Sequence, residues 1–331
     1  MHYIKKLQFQ ELGSPSVDGK VSRGRYFLIS KSTNDFFPPL SKTQLNDTII
    51  LPIIPPNSVQ KVYCSFVYHN DKYHGSLANS PRDEYRLYLN SEIDPNRSYF
   101  KVSDIVIFSK YFLELNVPIY KIDIFRVGDE HYEDLNALIT SSPINGNHAL
   151  FEGSLDFIDT QMTNLETLET VIPAETKQIV KKEQDKYNYS EIEETKGSNL
   201  FNSVSFRDFV LLGYKNRCAI TNESIFHEKL INLEAAHIMP KSHSGSFLPC
   251  NGIALSRDMH WAFDKGMFSI SEEHTIIVHD DVKNTILNKY HNQKINLPTE
   301  DFFKPEKAFL NYHREKIFGL FKHSGVIRSS I

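Results

Sequence analysis

Residues 233–266 read LEAAHIMPKSHSGSFLPCNGIALSRDMHWAFDKG, and no other stretch constrains the chain as tightly. His237, His243 and His260 stand among turn residues, with Asn251–Gly252 between them and Asp264 and Gly266 near the end. Asn-Gly and Pro are strong local punctuation, so the apolar runs beside them must be short elements joined by turns. KLINLEAAHIMP reads as a strand running into a loop that Pro240 opens. Residues 256 to 265 read as a helix ended by Gly266. On that helix His260 and Asp264 are four residues apart, so they project from one face. An imidazole and a carboxylate at that spacing make half a shell for a divalent metal. Folding strand, loop and helix together brings His237 near such a metal without making it a ligand. A neutral imidazole there takes a proton from water, and a metal stabilises a developing oxyanion. These parts suit hydrolysis of a phosphodiester. A lone loop histidine is ordinarily a surface or core residue, and one His/Asp pair on a helix is ordinarily decoration. The joint spacing is what sets this stretch apart.

AAHIMP, CNGIAL and RDMHWAFDKG, with gaps 237–251–260, resemble the motifs of the HNH, or ββα-metal, endonucleases. YKNRCAITN upstream and FLNYHREKIF near the C-terminus resemble the flanks of one bacterial subgroup, so the likeness covers about 201–320. It implies that His237 is the general base, that Asn251 fixes the loop orienting it, and that His260 is a metal ligand. Asp264 falls where toxin nucleases of this fold place another metal-binding histidine. One departure matters: many members carry Asp or His immediately before the first motif histidine, whereas this chain has Ala236. Asp264, Glu234 or water is left to complete the site, with Asp264 the better placed on a helix and Glu234 expected to be structural. The implied cofactor is a divalent metal, Mg²⁺ first, with Mn²⁺, Ni²⁺ or Zn²⁺ as alternatives. Arg217, Lys241, Arg257 and Lys265 flank the site and are candidate phosphate contacts. Cys218 and Cys250 lie in CAIT and PCNG, which hold no second cysteine, so a four-thiolate zinc knuckle is excluded and buried thiols are expected.

The remainder bounds the class. At 331 residues two domains are expected. No apolar run of about 18 residues exists, and MHYIKKLQFQELGS lacks the apolar core of a signal peptide. Three scattered cysteines fit a reducing compartment, so a cytoplasmic protein without a membrane partner is expected. Net charge is −4, so any DNA contact must come from locally arranged cations. Residues 201–331 are nearer to that condition, with 16 Lys+Arg against 14 Asp+Glu.

Residues 1–160 read as β-rich, from runs such as RGRYFLIS, DTIILPII, KVYCSFVYH, DEYRLYLN, DIVIFSKY and IYKIDIFRV, with a helix over DEHYEDLNALITS. Residues 161–200 hold 5 basic against 8 acidic residues and few apolar ones, and read as a linker, helical in part. The N-terminal region weakly resembles the DNA-binding pseudobarrel of EcoRII-type restriction enzymes. Under that likeness Arg23, Arg25 and Lys31 lie on candidate contact strands.

The expectation is therefore an α+β protein with a pseudobarrel-like recognition domain (1–160), a linker (161–200) and a ββα-metal nuclease domain (201–331). Its partner is double-stranded DNA, with no small-molecule cofactor. Because one such site cuts one strand, a homodimer is expected. The leading function is a restriction endonuclease leaving 5′-phosphate and 3′-hydroxyl ends. The alternatives are a modification-dependent restriction nuclease and a DNA-binding regulator with a decayed nuclease.

Overall fold

Residues 61–69 are buried without a break and burial alternates along 84–88, and those two patterns organise the first half of the protein. The computed structural model describes residues 1–13, 25–33, 35–74, 82–112, 117–144, 146–158, 168–186, 200–227 and 230–321. The chain divides into two units, Met1–Gln178 and Ile179–Ile331. The fold class is α+β, with a large mixed sheet in the first unit.

That sheet is built from β1 (His2–Lys6), β2 (Tyr26–Ile29), β3 (Thr48–Ile54), β4 (Gln60–His69), β5 (Glu84–Tyr88), β6 (Ile105–Phe112), β7 (Pro118–Phe125), β8 (His148–Phe151) and β9 (Glu169–Val171). The strand order is β2-β5-β4-β3-β7-β6-β1-β8, and β9 pairs with β4. The β3–β7 and β4–β9 pairs are parallel. Covered on both faces, β4 is buried nearly throughout, whereas β5 buries only Tyr85 and Leu87. The two-residue period of β6 splits its side chains between two cores. Val106 and Phe108 join an aromatic cluster with Tyr3, Phe27, Phe36, Phe37 and Phe66. Ile105 and Ile107 pack with Ile4 against Tyr132, Leu135 and Ile139. Those three belong to a helix at Tyr132–Thr140, α2, which follows the one-turn α1 (Phe9–Leu12).

The stretch 161–200, expected to be a linker that is helical in part, contains β9 and a helix, α3 (Ala174–Lys186), among its described residues. One expectation changes here. Arg25 does not offer its guanidinium to DNA. The side chain is 10% exposed, its Nε pairs with Asp94, and its Nη atoms donate to Leu12 O (3.1 Å) and Phe100 O (2.7 Å). A buried guanidinium with its donors spent inside the fold cannot reach a groove. Lys31 is exposed, with Nζ 2.6 Å from Asp83. Arg23 lies outside the described residues.

The second unit contains α4 (Ser203–Gly213), β10 (Phe226–His227), β11 (Leu230–Ile231), β12 (Leu233–His237), β13 (Gly252–Ser256), α5 (Arg257–Asp264), β14 (Phe268–Ile270), β15 (Ile276–Val278) and α6 (Lys307–Lys316). Asn202 caps α4 by accepting from the Val204 and Ser205 N–H groups at 3.0 Å. β12 and β13 pair antiparallel, and α5 begins at the next residue after β13. Among the described residues no helix is long and apolar enough to cross a membrane.

Candidate active site

His237 is the last residue of β12 and stands opposite Gly252 in the ribbon. A Cβ at position 252 would lie 2.3 Å from Val210 Cγ2 and 2.9 Å from the Phe206 ring, so only glycine lets α4 settle on the ribbon here. That close packing puts the Phe206 ring on the His237 imidazole, centroids 4.2 Å apart and planes at 21°. Phe247 meets the same imidazole edge-on at 5.1 Å. The two phenyl rings fix the imidazole plane. Its Nε2 is buried and has no hydrogen-bond partner among the described residues. Burial, and then the neighbouring Lys241 and His260, hold the His237 pKa down to about 4, so the ring is neutral at neutral pH.

Asn251 is fully buried and ties the loop after β12. Its Oδ1 accepts from the Met239 N–H at 2.8 Å, and its Nδ2 donates to Met239 O at 3.1 Å and to Ser246 O at 2.9 Å. Its backbone carbonyl accepts from the Ile238 N–H at 2.9 Å. The residue thus holds both ends of the chain segment that leaves His237. The neighbour on the other side, Ala236, is also fully buried and offers no donor atom.

Helix α5 presents two faces. Met259, Ala262 and Phe263 are buried, while residues 257, 260, 261 and 264 follow the spacing of the opposite face. Gly266, at φ +70°, ends the helix where a Cβ would lie 2.1 Å from Ile317 O. On the outward face His260 Nδ1 lies 2.7 Å from Glu234 Oε2, and His260 Nε2 lies 3.4 Å from Asp264 Oδ2. Arg257 Nε is 3.3 Å from Glu234 Oε1. Glu234, which sequence reasoning leaves as structural, is therefore the closer of the two carboxylates to His260. A carboxylate receiving the proton of Nδ1–H leaves Nε2 as the lone-pair nitrogen, facing Asp264. Shielding from water raises the Asp264 carboxyl above its ordinary value, and His260 and Lys265 pull it back.

One imidazole nitrogen and one carboxylate suit a divalent cation in their chemistry. Among the described residues no three His, Cys, Asp or Glu side chains converge as a closed cation cage would require. The fit is to an open site completed by water and substrate oxygens.

The other expected contacts are placed as follows. Lys241 is exposed, its Nζ 5.0 Å from the centre of the Phe247 ring that walls His237. The Arg257 side chain is 73% exposed. Lys265 follows α5 directly and is partly exposed. Arg217 is exposed in the turn after α4 and donates to Asn222 O at 3.1 Å. Cys218 and Cys250 are buried free thiols. Sequence reasoning places Phe206 on a helical face with Phe209, Val210 and Tyr214, which marks a core position but not a wall for His237, and it does not single out Phe247.

Helix α6 closes the unit under α5 through His313. Its Nδ1 lies 2.8 Å from Ser269 Oγ, its Nε2 donates to Phe263 O at 3.2 Å, and its ring stacks on Phe263 at 3.7 Å. Burial holds its pKa down to about 3, against the ordinary 6.5. Between those values the unfolded chain binds a proton that the folded one does not, so stability falls as pH falls through this window. His237 acts in the same direction. Urea unfolding followed by Trp261 emission is expected to lose up to about 1.4 kcal/mol per pH unit from pH 6 to 4 for His313 alone. His313→Gln should flatten that slope; an unchanged slope would remove His313 as its source.

A two-stranded antiparallel ribbon, a loop tied by a buried asparagine and a helix carrying histidine on its outward face together define a ββα nuclease unit. Residues 218–271 match the family model described as HNH endonuclease, and this part of the chain is an HNH endonuclease domain. Among solved structures the chain is similar to one described as a modification dependent TagI restriction endonuclease. The identity is 20% and the TM-score 0.29, over 38% of this chain and 41% of that one. The chain thus spans less than half the length of that protein. No curated protein matches the chain.

Proposed function

We propose that the protein is a metal-dependent DNA endonuclease of restriction type, which hydrolyses phosphodiester bonds at sites chosen by its N-terminal unit. The observation that carries this reading is the neutral His237 imidazole, clamped by Phe206 and Phe247 in the same unit as the Glu234–His260–Asp264 row. His237 accepts the proton of the attacking water on its neutral imidazole. Asn251 keeps the strand end and loop in place while it does so. His260 and Asp264 would hold the divalent cation, and Glu234 sets the His260 tautomer. When bound, the cation supplies positive charge to the phosphate oxygen that becomes more anionic during attack. Lys241 and Arg257 hold flanking phosphates of double-stranded DNA, and a homodimer cuts both strands.

Incubation of the protein with Mg²⁺, Mn²⁺, Ni²⁺ or Zn²⁺ and plasmid DNA, methylated and unmethylated, tests the reading. Cleavage of unmethylated plasmid supports an ordinary restriction nuclease. Cleavage confined to methylated plasmid supports a modification-dependent one. Binding without cleavage under every cation would leave a DNA-binding regulator and reject the nuclease reading. Asp264→Asn is expected to weaken metal affinity and raise the metal concentration for half-maximal cleavage. Superimposable calorimetric titrations of this variant and wild type would remove Asp264 as a ligand and leave Glu234.

A further inference from the structure

The face of α5 that carries His260 and Asp264 also carries Trp261, the only tryptophan in the chain. Its side chain is 57% exposed, although tryptophan is highly buried on average and here sits on a helix with a well-buried opposite face. The residues four before and four after it are Arg257 and Lys265, so an open indole lies between two cations along one row of the helix. His260 and Asp264 border that row. A flat apolar surface interleaved with cations fits a nucleotide better than it fits a protein core. The ring covers a sugar face, and the cations meet the phosphates on either side.

We propose that Trp261 is a substrate-positioning contact: its indole packs on the sugar of a nucleotide next to the scissile phosphate, with Arg257 and Lys265 on the flanking phosphates. The proposal rests on the nuclease reading of this site. Every nucleotide presents the same sugar and phosphate, so the contact seats the strand without selecting sequence; selection is left to other parts of the protein.

The lone indole is its own reporter. The full-length protein, in EDTA so that no cutting occurs, is titrated with a short fluorescein-labelled DNA duplex. Indole emission and its quenching by acrylamide are read alongside anisotropy. Emission should change saturably, acrylamide access should fall, and both should follow the anisotropy curve. Trp261→Ala should raise Kd about 5- to 150-fold, the range that alanine replacement of an aromatic packed on a nucleotide ordinarily produces. Trp261→Phe should recover most of the loss. Under cleavage conditions the alanine variant should raise KM more than it lowers kcat, with calorimetric metal affinity and urea midpoint unchanged, which a merely structural role would not give. An indole unaffected by saturating DNA, or alanine-variant binding within twofold of wild type, overturns the proposal while leaving the nuclease reading intact if the wild type cuts. DNA binding with the expected indole response but no cleavage under any cation keeps the contact and rejects the nuclease reading. Absence of DNA binding by the wild type overturns both.

Discussion

His237→Ala is expected to lower DNA cleavage by about 10²–10⁴-fold, the range a general base ordinarily contributes, while metal and DNA bind nearly as in the wild type. The separation of effects follows from placement. His237 ends β12, whereas His260 and Asp264 sit on α5 and contact Glu234 and each other, so removing the imidazole leaves the proposed metal row untouched. With a pKa near 4 the ring is a weak base in the free protein, yet it is in its proton-accepting form throughout the physiological range. A negative phosphate arriving beside it favours the imidazolium and so raises its basicity when it is needed. The pKa of His237 read by NMR should therefore rise when uncleaved DNA binds. Single-turnover cleavage of the alanine variant within a few-fold of wild type would reject the assignment. An equal loss of metal affinity would make His237 a ligand instead.

Legibility in the sequence followed the range of the interactions that set each element. Runs such as KVYCSFVYH and DIVIFSKY announce β4 and β6 because burial on a sheet is written into consecutive residues. β1 is not announced, because HYIKK looks half solvated. Its Lys5 is buried in an ion pair with Glu11 at 2.9 Å, a pairing that only the folded chain brings about. The pairing of Arg25 is hidden from the sequence for the same reason, since its partner Asp94 lies 69 residues away. The candidate site was more legible than the sheet. His237, Asn251, His260 and Asp264 lie on adjacent short elements, so their spacing already encodes most of their geometry. The rank order of Glu234 and Asp264 was not encoded, because it depends on how β12 lies beside α5.

Asn251→Asp is expected to destabilise the second unit by about 3–5 kcal/mol at neutral pH, the cost ordinarily seen when a buried charge is left uncompensated. The amide accepts once and donates twice, and each of the three partners is a backbone group of the loop. Aspartate keeps the acceptor toward the Met239 N–H. It turns the donor into an oxygen facing the carbonyls of Met239 and Ser246, in a position with no exposed surface. Asn251→Ala should cost a comparable amount, because it leaves those groups unpaired, at about 1–3 kcal/mol each, without adding a charge. The sign with pH separates the two variants. Burial raises the folded pKa of the introduced carboxyl above its unfolded value, so the penalty is full above the folded pKa. It is relieved as pH falls through that value, where a protonated carboxyl regains one donor. The alanine penalty carries no such dependence. Cleavage should fall in both variants even where the protein remains folded, since the loop that holds His237 in place has lost its tie. Equal urea midpoints for wild type and Asn251→Asp at pH 8 would show that the asparagine does not hold this loop through the bonds described.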